Sequence, residues 1–466
     1  MKKYDVIILG AGSAGLTAYG KLRHHFKDIA LINDGPYGTT CARVGCMPSK
    51  LLIQVAEDYH RSNELVKKQM LSKPGIISGK DVMSYVRAWR DKFVERTNMP
   101  LKYLGENNIS GRATFLNKNT VKVGEKEYSA DHIIVAVGSS PIIPDAWQRL
   151  SQNVISSDQI FELEELPKSL VVIGLGPIGL ELGQAFARLG CEVNGFDLAK
   201  SIAGVTDPDV LKDSISQLSK EFSISLGSAV EVTTKNNQLE VSNKEKKVST
   251  DYVLVSIGRR SNALDIGLEN LDTVKDEKGL PLINSQTLNI PDTNIYIIGD
   301  ANNFRPVLHE AADEGRMVAD SIINNKVLSF KRKTPMGICF TSPNIAYVGK
   351  RYSELNISDV IIGEDRFQMG RNKVIGESGV IKVYASKQGN ILGAEVIGPK
   401  AENLVHYLSL AIEHNLSIKD LLESPFYHPT VEESLRGALR NTAKQISSNL
   451  TSEVCCLTDT KLKTIT

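Results

Sequence analysis

The chain has 466 residues but only six cysteines. That excludes a disulfide-stapled scaffold, since such scaffolds are short and cysteine-dense. An excess of charge of one sign is also missing: 55 basic residues stand against 54 acidic ones, a formal net charge of +1. Nothing in that balance points to a nucleic acid or to an anionic membrane surface as partner. No apolar run approaches the length of a membrane span. Lys2 and Lys3 imitate the start of a secretory leader, but Asp5 follows and the apolar run is only Val6-Ile7-Ile8-Leu9. The reading is therefore a mature cytoplasmic protein. No second cysteine pair or histidine cluster flanks Cys41 and Cys46 in sequence, so no metal site is expected there. The length predicts two to four domains with ample core.

What is present starts with Cys41-Ala-Arg-Val-Gly-Cys46-Met-Pro-Ser-Lys50. Two cysteines five positions apart can bridge if their Cβ vectors face each other. So small a loop would stabilise the fold by only roughly 2 kcal/mol, little for a chain of this size. In a cytoplasmic context a close pair reads as redox chemistry or metal binding, or as two unpaired thiols near a turn. Pro48 followed by Leu51-Leu52-Ile53 reads as a helix start. A helix N-terminus favours negative charge, so Cys46 is expected to ionise readily and Cys41 to be the sulfur available for exchange.

Two glycine fingerprints organise the chain. Residues 4–9 form a buried-strand run, Gly10-Ala11-Gly12-Ser13-Ala14-Gly15 follows, and a helix to about His25 leads to a strand ending at Asn33-Asp34. Strand, glycine turn, helix, strand is the context a dinucleotide fingerprint requires. The second unit runs through Leu170-Val171-Val172-Ile173, Gly174-Leu175-Gly176-Pro177-Ile178-Gly179, a helix through Glu181, and a strand ending at Asp197. An acidic residue there accepts from ribose hydroxyls and repels a 2′-phosphate, which favours NAD over NADP. In the first unit the ribose carboxylate is less clear, with Asn33 at the strand end and Asp34 after it. Two dinucleotides in one chain imply electron transfer between them.

Further strands end in small-residue turns at Gly138, at Gly258 and at Gly299-Asp300, where a carboxylate could accept from a cofactor's polyol chain. Residues 62–100 read as polar and helical, and the segment after Pro144 reads as a linker. From about residue 334 the pattern becomes α+β. Residues 379–385 alternate as a half-buried strand, 391–397 form its partner, and 402–413 an amphipathic helix. His428-Pro429 with Glu433 five residues on is either a turn or a base with its orienting carboxylate. A polar tail carries Cys455-Cys456.

In this order, the two fingerprints, the C-x4-C pair and His428-Pro429-Thr430-x-x-Glu433 resemble the flavin-dependent disulfide reductases, dihydrolipoyl dehydrogenases above all. The resemblance spans about residues 4–445. It implies an α/β fold with two Rossmann-like dinucleotide-binding domains and a C-terminal α+β dimerisation domain. The implied boundaries are 1–148 for FAD, 149–266 for NAD, 267–333 completing the FAD site, 334–450 for the homodimer interface, and a mobile tail at 451–466. Gly10, Gly12, Gly15, Asp34, Gly138 and Asp300 would hold FAD. Gly174, Gly176, Gly179, Asp197 and Gly258 would hold NAD. Cys46 would face flavin, Cys41 would exchange with substrate, Lys50 and Glu181 would pair, and His428 with Glu433 would serve the partner subunit as acid and base. The implied partner is a lipoyl-bearing protein of a 2-oxo acid dehydrogenase or glycine cleavage complex. Alternatives are reduction of another disulfide or of mercuric ion, and a flavoprotein that senses redox state without turnover. The sequence departs from the family pattern at Asn33, Thr39, Val137 and Phe426. Cys455-Cys456 also resembles the C-terminal cysteine pair of mercuric reductases.

Overall fold

The structure is a computed structural model and describes residues 2–73, 75–236 and 238–446. It divides into two compact units, Met1–Leu166 with Val255–Arg332, and Pro167–Leu254 with the chain from Lys333 onward.

In the first unit the strand Lys2–Leu9 lies between Ile29–Asn33 and Lys126–Val135, parallel to both, with Val6 opposite Ile29 and His132. Asn108–Ser110 extends one side, and Ile295–Ile297 pairs parallel with the end of Lys126–Val135. Parallel strands covered on both faces need apolar residues on both. Val6, Ile8 and Ile134 pack with Ala14, Ala18 and Leu22 of the helix Ser13–Leu22 and with Val318 and Ile322 of Leu308–Ile323. Ile7, Leu9 and Ile133 pack on the other face with Phe115 and Val121. This explains the unbroken apolar runs at 6–9, 29–32 and 133–135.

The region 62–100 is helical in two segments. Cys46–Lys67 ends, and a second helix, Gly79–Asn98, starts at Ser78, whose hydroxyl accepts from Asp81 N at 3.2 Å. The segment after Pro144 is not a linker. Ile160 and Phe161 are fully buried, and Arg90 of the Gly79–Asn98 helix pairs with Glu162.

In the second unit Ser223–Leu226, Glu192–Asp197 and Ser169–Ile173 form a parallel sheet with the helix Pro177–Arg188 crossing over. The C-terminal part is an antiparallel sheet in the order Met336–Cys339, Asn344–Gly349, Ile391–Gly398, Val380–Ser386, Val360–Arg366. The helix Ala401–Glu413 buries Ala401, Leu404, Val405, Leu408 and Ala411, the spacing of an amphipathic helix. Val380–Ser386 was expected to be half-buried, yet all but its last residue are buried. Ile381, Val383 and Ala385 face the helical core. The opposite face meets the start of the helix Pro208–Leu218: Tyr384 donates to Asp207 at 3.1 Å and Lys382 pairs with Asp209 at 2.7 Å. Polar residues on that face are thus covered rather than solvated. Cys455 and Cys456 lie outside the described residues.

Candidate active site

Gly10 ends the first strand with φ +105°, and a Cβ there would stand 2.4 Å from Ala136 O. A Cβ on Gly15 would stand 2.1 Å from Gly10 O. The fold itself demands these two glycines. Gly12 is different, because its backbone is extended and the nearest atom to a Cβ would be Ala136 O at 3.7 Å. It precedes the helix Ser13–Leu22 without a side-chain cap, so the first N–H groups of that helix point outward. The second unit repeats the device with Gly174 at φ +96°, Gly176 before the helix Pro177–Arg188 with open space at its Cβ position, and Gly179 buried in that helix. An uncapped helix start with nothing blocking its approach fits a pyrophosphate.

At the end of the second strand of each unit, one side chain ties back to its glycine turn. Asp197 Oδ2 accepts from Leu175 N at 2.6 Å and its Oδ1 from Ala199 N at 2.8 Å. In the first unit Asn33 stands there, not Asp34: Asn33 Oδ1 accepts from Ala11 N at 3.0 Å. Asp34 is exposed, one residue past the strand. The cause is the alternation of the strand, which turns Asn33 toward the turn and Asp34 away from it.

Gly138 and Gly258 flank a two-stranded pairing of Ser139–Pro141 with Arg259–Ser261. Ser139 donates to Asp300 Oδ2 at 2.8 Å, and Arg259 holds Ser139 through its hydroxyl at 2.8 Å and its carbonyl at 2.6 Å. The turn bearing Asp300, Gly299–Asn302, rests on Glu314, a carboxylate only 1 % exposed. Gly299 N donates to Glu314 at 2.6 Å and Asn302 Nδ2 at 2.8 Å, and Arg332 pairs with its other oxygen at 2.6 Å. Sequence reasoning missed Ser139, Arg259 and Glu314. The signal for Glu314 was its place one and two turns before Val318 and Ile322, which are buried on the same helix.

Cys46 opens the helix Cys46–Lys67, and Cys41 sits in the short helix Thr40–Arg43. Thr39 caps that short helix, its hydroxyl accepting from Ala42 N at 3.2 Å, which gives the threonine at this departure a local role. Gly45 joins the two helices: a Cβ there would meet Thr40 O at 2.9 Å and Cys41 Cα at 3.2 Å. No disulfide joins the two sulfurs. The hydrogen bond to Cys46, burial, and the charge of Cys46 together push the Cys41 thiol far above its ordinary range. Negative charge on the pair is thus disfavoured at Cys41. Of the two residues, Cys46 is exposed and Cys41 half-buried. The reason is that the Cys41 helix is packed against both long helices, Cys46–Lys67 and Gly79–Asn98.

Lys50 lies one turn into the Cys46–Lys67 helix of the first unit. Glu181 is buried in the second unit, where its Oε1 accepts from Phe340 N at 2.9 Å. His428 Nδ1 lies 3.0 and 3.2 Å from the two oxygens of Glu433, the first residue of the helix Glu433–Ile446. Thr430 N donates to the same carboxylate at 3.2 Å. The hydrogen bond from His428 is the main cause that lowers the Glu433 carboxyl below its usual range. The imidazole is 75 % exposed, so its other nitrogen is open to a partner. Phe426 packs on Tyr407, edge to face at 6.3 Å, beneath the Arg436 guanidinium. Among the described residues no group of three or more His, Cys, Asp or Glu side chains could hold a metal ion, and no helix is long and apolar enough to cross a membrane.

The chain matches the family model described as pyridine nucleotide-disulphide oxidoreductase over residues 4–315, and that family's dimerisation domain over 336–439. It is 33 % identical to a dihydrolipoyl dehydrogenase of Mycoplasma genitalium, covering 92 % of this chain and 96 % of that one. A dihydrolipoyl dehydrogenase of Staphylococcus aureus is 29 % identical, covering 92 % and 94 %. In fold it is similar to the HOCl-induced flavoprotein disulfide reductase RclA from Escherichia coli, solved as a Cu(II) complex, with TM-score 0.82, 23 % identity, and coverage of 94 % of this chain and 99 % of that chain. Coverage by both family models, together with a relative at one-third identity over nearly the whole chain, shows what it is: an enzyme of the pyridine nucleotide-disulphide oxidoreductase family, dihydrolipoyl dehydrogenase-like and carrying that family's dimerisation domain.

Proposed function

We propose that the protein oxidises protein-bound dihydrolipoyl groups, using the Cys41–Cys46 pair, FAD and NAD+, as a homodimer. The observation that carries this reading is the cysteine pair itself: Cys46 at a helix start, a position that favours a thiolate, beside Cys41, where burial and its neighbour disfavour one. Gly10, Gly12, Gly15, Ser139 and Asp300 would hold FAD, with Gly138 shaping the turn before Ser139. Gly174, Gly176, Gly179 and Asp197 would hold NAD, with Gly258 at the turn before Arg259. When bound, the two cofactors supply the two-electron path out of the reduced pair.

The chain's own residues do the thiol chemistry. His428, held by Glu433 and supplied by the partner copy, takes a proton from one substrate thiol. The substrate sulfur attacks Cys41, the Cys41–Cys46 bond breaks, and Cys46 leaves as the thiolate its helix start favours. The second substrate sulfur then closes the lipoyl disulfide, and Cys41 leaves with the proton. Two electrons now reside on the pair. Lys50 and Glu181 would each serve the cofactors when bound. Phe426 favours a second reading, a different disulfide substrate, because it sets an aromatic ring rather than a second imidazole two residues before His428.

NAD+-dependent oxidation of dihydrolipoamide by the FAD-loaded protein, with NADP+ as control, tests the reading. Rapid turnover with NAD+ and little with NADP+ is expected. No turnover while NADH still reduces the flavin would refute the lipoyl assignment.

A further inference from the structure

We propose that Asn33 binds the adenosine ribose of the first unit through a neutral contact, and that this makes FAD bind more weakly and leave faster than it would from a carboxylate at the same place. The proposal rests on reading the first fold as the FAD site.

The two folds of the chain can be compared bond for bond at the strand end. Gly10 N donates to Ile32 O at 2.7 Å, and Gly174 N to Phe196 O at 2.8 Å. Gly111 N donates to Asn33 O at 2.9 Å, and Gly227 N to Asp197 O at 2.9 Å. Ala11 N reaches Asn33 Oδ1 just as Leu175 N reaches Asp197 Oδ2. Asn33 therefore occupies the place of Asp197. The folds part at the next bond. Asp197 Oδ1 accepts from Ala199 N, two residues on, whereas Asn33 Nδ2 donates to Gly35 O at 3.1 Å, also two residues on.

Those two partners fix which end of the amide is which. Oxygen faces the Ala11 N–H and nitrogen faces the Gly35 carbonyl. One Nδ2 hydrogen and one Oδ1 lone pair are left over. A ribose diol meeting Asp197 can donate both hydroxyls to a charged acceptor. Meeting Asn33 it finds one neutral donor and one neutral acceptor. Charge-assisted hydrogen bonds are about twice as strong as neutral ones, so the change from carboxylate to amide weakens binding by roughly tenfold. The fold tolerates a carboxylate here: Gly35 has φ +94° with open space around it, so its N–H can turn to serve Oδ1 as Ala199 N does for Asp197.

The test is the rate and equilibrium of FAD release from the FAD-loaded full-length protein on dilution, followed by the rise in flavin fluorescence. Asn33→Asp and Asn33→Glu are expected to tighten FAD about tenfold and to slow its release, while Asp34→Asn changes neither. The proposal is overturned if both Asn33 variants keep the wild-type thermal transition and the wild-type release rate. It is overturned equally if Asp34→Asn speeds release, which would place the ribose on Asp34. If neither wild type nor variants bind FAD while NAD+ still binds the second fold, the reading of the first fold fails, and the proposal with it.

Discussion

Replacing Cys46 by serine should release the proton of Cys41. Three causes hold that proton, in order: the hydrogen bond to Cys46, burial of Cys41, and the charge of Cys46. The substitution removes the third, replaces the first by a bond to a neutral hydroxyl and leaves burial, while Lys50 still favours the Cys41 thiolate weakly. The Cys41 thiol should therefore fall toward the ordinary value of about 8.5 and stop above it. Each unit of that fall is about 1.4 kcal/mol and multiplies the thiolate fraction at a fixed pH below the thiol's value about tenfold. A shift of two units would thus raise the rate of Cys41 alkylation at pH 8 about a hundredfold. The assay is iodoacetamide labelling of the reduced, flavin-free protein between pH 7 and 10, with Cys41 and Cys46 peptides quantified by mass. Exposure alone would also label Cys46 first, so the pH profile of Cys41 is the discriminating quantity. An unchanged Cys41 profile in Cys46→Ser, or a wild type in which Cys41 ionises before Cys46, would refute the division of charge between the sulfurs.

Four further outcomes follow from the same geometry. Gly12→Ala should keep the fold, since its Cβ would lie 3.7 Å from Ala136 O, yet lose bound flavin; Gly10→Ala, at 2.4 Å and positive φ, should lose the fold of the first unit as well. Circular dichroism and flavin content separate the two. Glu433→Gln removes the charge that orients His428 and should lower turnover roughly a hundredfold without changing flavin content, as measured by steady-state rates. Glu395, 1 % exposed, accepts from Thr206 N and Asp207 N on one oxygen and from Tyr352 N and the Thr206 hydroxyl on the other. Glu395→Gln turns an NH2 group toward donors whichever way it points and should cost about 3 kcal/mol, read from urea midpoints at constant slope. Burial pushes the Cys191 thiol up to about 12. The folded state thus holds that proton more tightly than the unfolded one. Stability is full below the unfolded value of about 8.5 and is lost as pH rises toward the folded value. Cys191→Ala should flatten the fall in stability between pH 8.5 and 10.5.

Local chemistry made part of this legible in the sequence. The strand–glycine–helix units were readable because Gly10 and Gly15 answer to atoms of their own turn and of the neighbouring segment at Ala136, and Gly174 to a positive φ. The helix start at Cys46 was readable from Pro48. The amphipathic spacing of Ala401–Glu413 was readable because its core lies on one side. The rest depended on what distant segments bring. The choice between Asn33 and Asp34 turned on which of them reaches Ala11 N, a question of pleat rather than of residue type. Lys382 and Tyr384 looked solvated until Asp207 and Asp209, more than 170 positions earlier, were seen to cover them. The burial of Glu314 depends on Arg332 and on the Gly299–Asn302 turn, which reach it from other segments.

The central claim is that Cys41 and Cys46 are the pair that cycles between disulfide and dithiol. The direct measurement is peptide mapping of both cysteines, with rapid alkylation, before and after one equivalent of dihydrolipoamide is added to the oxidised, FAD-loaded protein without nucleotide. The account predicts a Cys41–Cys46 disulfide before addition, two alkylated cysteines after it, and one equivalent of lipoamide formed. Lipoamide formed while the Cys41–Cys46 bond stays intact, or a protein in which the two are never joined, would contradict it.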